Sequence, residues 1–175
     1  MRDFAGWNLA YADLRGVQLV GCQLQGANFR GANLRGANLR GADARGTVFD
    51  LADLTAADCT AALMHGACLR RARLDGASLR QAWLLSAHLD YASIQATDFT
   101  GAQCEWAWVE GVDFLGACVS CALFLNVRGL SDMAQQTIER RGGFTGTRPM
   151  ILGRELYENP LPKTDLFPTP GRGGA

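Results

Sequence analysis

The chain has 175 residues, with 17 basic side chains balancing 17 acidic ones, two histidines and six cysteines. That length fits one structural unit and excludes a pair of domains. With no apolar run of 18 residues and no opening leader that is basic, then apolar, then small, a cytoplasmic protein with reduced thiols and no membrane partner is expected. The zero net charge is unevenly laid out, at +3 over residues 1–46, −5 over 47–125 and +2 over the remainder.

From Phe4 to Phe124 every fifth residue is apolar without one slip, giving 25 centres, of which twelve are Leu and six are Phe. Ala stands two residues before the centre in 18 of the 25, and Gly recurs two residues after it, as at Gly16, Gly21, Gly26 and Gly31. A fixed period signals a repeat architecture. A helix would turn successive centres by about 140° and leave no buried stripe. A straight strand would send successive centres to opposite faces. Within one pentad, however, the Ala and the centre do share a face. The chain must therefore turn after each short extended segment, and Gly, Asn and Asp at the turns suit that geometry. Repeated turning in one sense stacks coils into an all-β solenoid.

Runs such as Ala27-Asn28-Phe29-Arg30-Gly31 and Ala32-Asn33-Leu34-Arg35-Gly36 resemble the A(D/N)LXX consensus of the pentapeptide-repeat proteins. The resemblance covers residues 2–126. It implies a right-handed quadrilateral β-helix with four pentads per coil and about six coils in all. Residues 20 apart would then stack, so that Leu34, Leu54, Leu74 and Ile94 form one internal column. At about 4.8 Å between paired strands the rod would be about 30 Å long.

At its start, Trp7 stands where Ala normally does, so this end is either plugged by the indole or frayed. Arg30, Arg35, Arg40 and Arg45 occupy one pentad position on four successive faces. They form a solvated collar and not a stripe along the rod, which disfavours nucleic acid as a partner. His65 and His88 flank inward centres and are expected on the surface. Cys68 and His88 should stack one coil apart, but two ligands do not close a metal site, and no metal or cofactor is expected. Cys118-Val119-Ser120-Cys121 straddles one rigid pentad, so its C-x-x-C spacing reads as structural.

Grouping pentads by 20 places Leu63, Trp83 and Leu123 at equivalent outward positions, with Leu85 and Leu125 beside them and Trp106 at the following turn. The neighbouring face adds Trp108 and Tyr91. Asp3, Gln23 and Asp43 keep the same column polar in the first coils. So large an apolar strip signals an interface.

The pentads stop near Val127, and residues 127–143 read as a C-terminal capping helix. Ser131 is its N-cap, Asp132 lies in its first turn, Ala134 and Ile138 share one face, and Gly142 and Gly143 end it. Residues 144–175 form a Pro-rich extended tail that is too apolar for a plain linker. The tail is expected to fold back along the strip through Met150, Ile151, Leu156, Tyr157, Leu161 and Phe167. A homodimer through the C-terminal half or a foreign partner are the other occupants.

No acid–base or nucleophile constellation appears, and the single lysine, Lys163, rules out a P-loop. The residues therefore favour a non-catalytic interaction scaffold whose partner is another protein. The resemblance implies an alternative, because some members protect DNA gyrase or topoisomerase IV from quinolones by imitating B-DNA in width and negative charge. A type II topoisomerase is the partner on that alternative. Against it, Arg70, Arg71, Arg73 and Arg80 interrupt the acidic residues that such mimicry needs.

Overall fold

Every pentad of this chain has five backbone N–H groups to satisfy, and the way they are satisfied builds the fold. The computed structural model describes residues 2–146, so the tail anchors Met150, Ile151, Leu156, Tyr157, Leu161 and Phe167 lie outside the described residues. The pentad Asn33–Ala37 is representative. The Asn33 N–H donates back one coil to the Ala12 carbonyl at 2.9 Å, while Leu34 and Gly36 donate forward to Asp53 and Thr55 at 2.7 and 2.9 Å. The Ala37 N–H closes a turn onto the Leu34 carbonyl at 2.9 Å. The fifth donor, Arg35 N–H, goes to the Asn33 side chain at 3.3 Å. Asp or Asn ahead of the centre is thus a backbone cap, an Asx turn repeated along the rod. Where Cys68, Ser93 and Trp108 stand there instead, Asp50, Asp75 and Asp90 of the preceding coil accept from Arg70, Gln95 and Glu110.

The ladder register is 20 residues. Asp3 pairs with Gln23, Asn33 with Asp53, Asp53 with Arg73 and Arg73 with Ser93, all parallel and each a one-residue bridge. Four pentads therefore complete a coil, and Leu34, Leu54, Leu74 and Ile94 follow one another on one side of the core, each at most 1 % exposed. One step is missing among the described residues, because Ser93 and Asp113 do not pair. Val112 fills the corner ahead of that gap, where Ala is usual.

Every turn of the rod but the one at Gly116 places its second corner residue at positive φ, the geometry of a type II turn. Glycine is common there but not required: twelve other residues, among them Tyr11, Leu51, Arg71, Trp106 and Cys121, hold φ between 54° and 62°. The left-handed conformation costs about 1–2 kcal/mol for a residue with a Cβ. The forward hydrogen bond from that residue's N–H, as from Leu51 to Arg70 at 3.0 Å, offsets it.

Leu and Phe centres and the Ala column fill the interior. Each buried Leu or Phe contributes roughly 1.5–3 kcal/mol. Thr47 and Thr97 replace Ala without loss, because their buried hydroxyls donate to the Leu24 and Leu74 carbonyls, both at 2.7 Å. Cys59 is a small hydrophobe here, and burial pushes its thiol up to about 12. Phe29 stacks on Phe49 at 5.3 Å, and Phe99, Phe114 and Phe124 form a second aromatic group near the C-terminal end.

That end carries strand β1 (Leu123–Leu125), helix α1 (Asp132–Arg140) and strand β2 (Phe144–Gly146). Ser131 accepts from the Ala134 N–H at 3.2 Å, and Ala134 and Ile138 are buried against the core. Arg141 donates to the Ala117 carbonyl at 2.9 Å and so ties the helix exit to the last coil. Residues 144–146, expected at the head of the tail, instead extend the ladder: β2 pairs parallel to β1, with Phe144 beside Leu123. At the other end Trp7 is no buried plug. It is 54 % exposed and meets Phe4 edge-on at 5.2 Å. Nor is the first coil frayed, since Phe4, Leu9, Leu14 and Leu19 all donate to the coil that follows.

Candidate protein-interaction face

The first side of each coil carries the column Asp3, Gln23, Asp43, Leu63, Trp83, Gln103, Leu123 and Phe144, joined step by step by the ladder. Its N-terminal part is satisfied and polar. Asp43 accepts twice from Arg45, at 2.6 and 2.8 Å, and once from Gln25 at 2.6 Å. From Leu63 onward the character changes. Trp83 is 46 % exposed, Leu63, Leu85, Leu123 and Leu125 are half-buried, and Trp106 projects from the corner at 54 %. Gln103 interrupts the column between Trp83 and Leu123. Phe144, 47 % exposed, prolongs it past the last pentad.

Two features of this face were not read from the sequence. His65 is not an ordinary surface histidine; it is half-buried and stacks on Trp83 with ring centroids 5.9 Å apart. Burial, and then the Arg45 charge, hold its pKa below the usual value, so the stacked ring is neutral at pH 7. Phe144 was assigned to the tail, and only the β1–β2 pairing brings it here. A third feature follows from the capping rule. No Asp or Asn stands ahead of the centres at Leu63 and Trp83, nor on the coil below at Arg45 or His65. Among the described residues the backbone N–H groups of His65 and Leu85 accordingly meet no acceptor.

Trp108 and Tyr91 lie apart from this strip, in a shallow groove on the second side with Arg30, Asp50, Leu51, Arg70, Arg71, His88, Asp90 and Glu110. Trp108 is sandwiched there between His88, at 5.3 Å, and the Arg128 guanidinium, at 4.6 Å. The Tyr91 ring lies across Gly111, where a Cβ would come within 2.5 Å of it, and its hydroxyl donates to Glu110 at 2.6 Å. The predicted residues thus divide into an apolar strip and a charged, internally paired groove. His88 stacks with Cys68 in register but turns its ring to Trp108.

The arginine collar is ion-paired. Arg30, Arg35 and Arg40 reach Asp50, Asp53 and Asp58 of the next coil at 3.7, 3.2 and 3.2 Å, while Arg45 takes Asp43 at 2.6 Å. Arg80 pairs with Asp98 at 2.9 Å. Exposed pairs such as these add little stability individually, but they set arginines among the acidic side chains of the described residues. Asp43 is held below the ordinary carboxylate pKa chiefly by Arg45. At Asp53, Asp58 and Asp98 burial acts to raise the pKa, and hydrogen bonds from Thr55, Thr60 and Thr100, whose N–H groups donate to the carboxylates, outweigh it with help from arginine. A depressed pKa in the folded state contributes stability above the unfolded value, near 3.9, which is lost as pH falls through the folded value. Thermal melts should therefore be level from pH 7 to about pH 5 and fall below about pH 4; a level profile down to pH 2 would contradict this.

Cys118 and Cys121 are both exposed thiols, and the Thr100 hydroxyl lowers the Cys118 pKa. Among the described residues no group of three or more His, Cys, Asp or Glu side chains is placed to hold a metal ion, and no helix is long and apolar enough to cross a membrane.

A family model for pentapeptide repeats matches residues 3–36, 32–71 and 72–116. Among solved structures the chain is similar to full-length QnrB1, a plasmid-mediated fluoroquinolone resistance protein, with a TM-score of 0.54 at 13% identity over 79% of this chain and 88% of that one. It is also similar to a pentapeptide-repeat protein of the Arabidopsis thaliana thylakoid lumen, with a TM-score of 0.39 at 26% identity over 81% and 79% of the two chains. A pentapeptide-repeat protein of Nostoc Pcc 7120 gives a TM-score of 0.28 at 36% identity over 66% and 83%. No curated protein matches the sequence.

Proposed function

The chain belongs to the pentapeptide-repeat family, and from that premise we propose that it is a non-catalytic interaction module whose first side, from Leu63 to Phe144, receives another protein. On this reading the rod is a right-handed quadrilateral β-helix of about six coils, residues 2–126, closed by the segment 127–143 and followed by an extended tail. It acts in the cytoplasm without a cofactor. The observation that carries the proposal is the change along a single column, from Asp3, Gln23 and Asp43 to Leu63, Trp83, Leu123 and Phe144. An exposed apolar strip, broken only by Gln103, along a column that begins polar marks a contact surface. Aromatic side chains at its middle have the character of binding hot spots.

The test is a photo-crosslinking side chain placed at Trp83 in the native cell, with Asn33 on the third side as control. A discrete adduct to one foreign protein is expected from position 83 and none from position 33. Trp83→Ala should then weaken the purified pair by about 30-fold or more, the effect of losing a hot spot of about 2 kcal/mol. Adducts from position 33 alone would overturn the assignment of the face.

Protection of a type II topoisomerase from quinolones is the second reading, favoured by the QnrB1-like fold and disfavoured by the paired arginines. In a gyrase supercoiling assay with a fluoroquinolone, stoichiometric protein should restore no activity; restoration would promote this reading over the first.

A further inference from the structure

We infer that the groove on the second side is a separate docking site, which takes an extended protein segment carrying an acidic side chain flanked by apolar ones. It shares no residue with the first-side strip, and it stands whether or not that strip receives a partner.

The arginines of this groove differ from the others on the rod. Nine arginines lie between Arg15 and Arg80. Six of them, Arg15, Arg35, Arg40, Arg45, Arg73 and Arg80, donate side-chain hydrogen bonds to an aspartate. The remaining three, Arg30, Arg70 and Arg71, all line the groove. Arg30 stands 3.7 Å from Asp50, and Arg70 stands 3.9 Å from Asp50 and 4.0 Å from Asp90. Those separations are attractive but exceed hydrogen-bond length. The Arg70 guanidinium otherwise meets only the His88 ring nitrogen, at 3.4 Å. The Arg71 guanidinium has no ion pair and no hydrogen bond among the described residues. Open guanidinium N–H groups suit a planar oxyanion, which they grip at two points.

The acids of the groove form its floor. Asp50 and Asp90 expose only 15 % and 13 % of their side chains, whereas Arg30 and Arg70 expose 47 % and 49 %. Both aspartates are also engaged from below, by the backbone N–H groups of Arg70 and Glu110. Glu110 in turn accepts from the Tyr91 hydroxyl. A ligand therefore meets guanidinium before carboxylate. On the corner, Arg71 stands between two exposed side chains, Leu51 of the preceding coil and the Tyr91 ring of the next. The complement of that order is a carboxylate with an apolar side chain to either side of it.

The shape of the groove selects among anionic ligands. It is shallow, so it can cover one edge of an extended segment but cannot enclose a small molecule. A nucleic-acid strand fits poorly, because its evenly spaced phosphates would also pass over Asp50, Asp90 and Glu110. An acidic protein segment needs to place only one carboxylate, where the open guanidiniums lie, and can set apolar side chains against Leu51 and Tyr91.

The probe is an acetylated, amidated peptide, leucine-serine-glutamate-serine-leucine, whose three larger side chains share one face when extended. Titrated into the ¹⁵N-labelled full-length chain, it should produce saturable shifts at the Nε–H signals of Arg30, Arg70 and Arg71 and at the Trp108 indole. The signals of Arg35 and Arg40 should stay in place. Arg71→Gln should weaken the peptide about tenfold, the effect of losing a charge-assisted contact. That variant keeps the coil, since Gln81 holds the same corner conformation at φ 55° and the lost guanidinium had no internal partner. Arg35→Gln, on the third side, should leave the affinity unchanged. Absence of saturable shifts, or an unaltered affinity in Arg71→Gln, overturns the inference. So does equal binding of the peptide with glutamine in place of glutamate, which would make the contact apolar only. Equal affinity for inorganic phosphate would make the groove a free-anion site, and tighter binding of a short single-stranded oligonucleotide would assign it to nucleic acid; either result also overturns it. Failure of the crosslink at position 83, with the peptide still bound, would instead remove the first-side partner and leave this site.

Discussion

Phe124→Ala should destabilise the protein by about 3–5 kcal/mol, the range for emptying a fully buried phenylalanine site, and the loss should fall first on the C-terminal end. Phe124 is fully buried and packs edge-on against Phe114 at 5.1 Å and against Phe99 at 6.0 Å. Aromatic pairs of this kind add about 0.5–1.5 kcal/mol beyond area burial. The residue is also the middle of β1, whose outer edge holds β2. Its removal therefore hollows the last coil and loosens the strand that closes it. Denaturant titration gives the magnitude, and hydrogen exchange at Thr145 and Gly146 gives the location. A loss below about 1 kcal/mol would mean that the three phenylalanines repack around the gap, which close-packed interiors rarely permit.

The second large effect is expected at Gly129. A Cβ there would lie 2.8 Å from the backbone N and Cα of Glu110, and its φ is +77°. The positive φ alone is tolerable, as Tyr11 and Leu51 demonstrate at comparable angles. The contact is what distinguishes this site, because backbone cannot swing away as a side chain would. Gly129→Ala should cost about 1–2 kcal/mol from the left-handed conformation and a further 1–3 kcal/mol or so from overpacking. Gly46→Ala is the control. It has φ +63° with nothing within 4 Å, so only the conformational part applies. Equal losses at the two sites would show that Glu110 gives way.

The sequence made the coil legible because the apolar period and the four-pentad resemblance agree on one register, which every bridge from Asp3 to Arg128 keeps except at Ser93 and Asp113. Helix α1 was legible as well: Ser131 and Gly142 are local signals that need no tertiary knowledge. The turn chemistry was only half legible. Gly, Asn and Asp were read as corner residues, yet Asn and Asp act one residue ahead of the centre as caps, while Ala, Arg, Leu and Trp sit at the corner itself. Propensity at the corner is overridden because each N–H is committed to the next coil. Strand β2 was hidden for a related reason. Phe144–Gly146 has no pentad context, and its pairing depends on how α1 returns the chain. The apolar strip was recognisable column by column, but the stacking of His65 on Trp83 was not, since that needs the ring orientations. Trp108 and Tyr91 were placed on the neighbouring face as part of one contact surface; their partners, Arg128 and Glu110, make that face a separate, internally paired groove.

The 20-residue register also determines how such a protein can change length. Excising one whole coil, residues 33–52 for instance, rejoins every column to itself and shortens the rod by about 4.8 Å. Excising a single pentad preserves the inward pattern but advances all that follows by one side, so that Leu63, Trp83 and Leu123 would continue a different column from Asp3, Gln23 and Asp43. Excising any number that is not a multiple of five sends the centres outward. Lineages built on this fold therefore have two distinct kinds of viable deletion, one that resets reach and one that re-aims the apolar column by a quarter turn. The second needs only fifteen nucleotides.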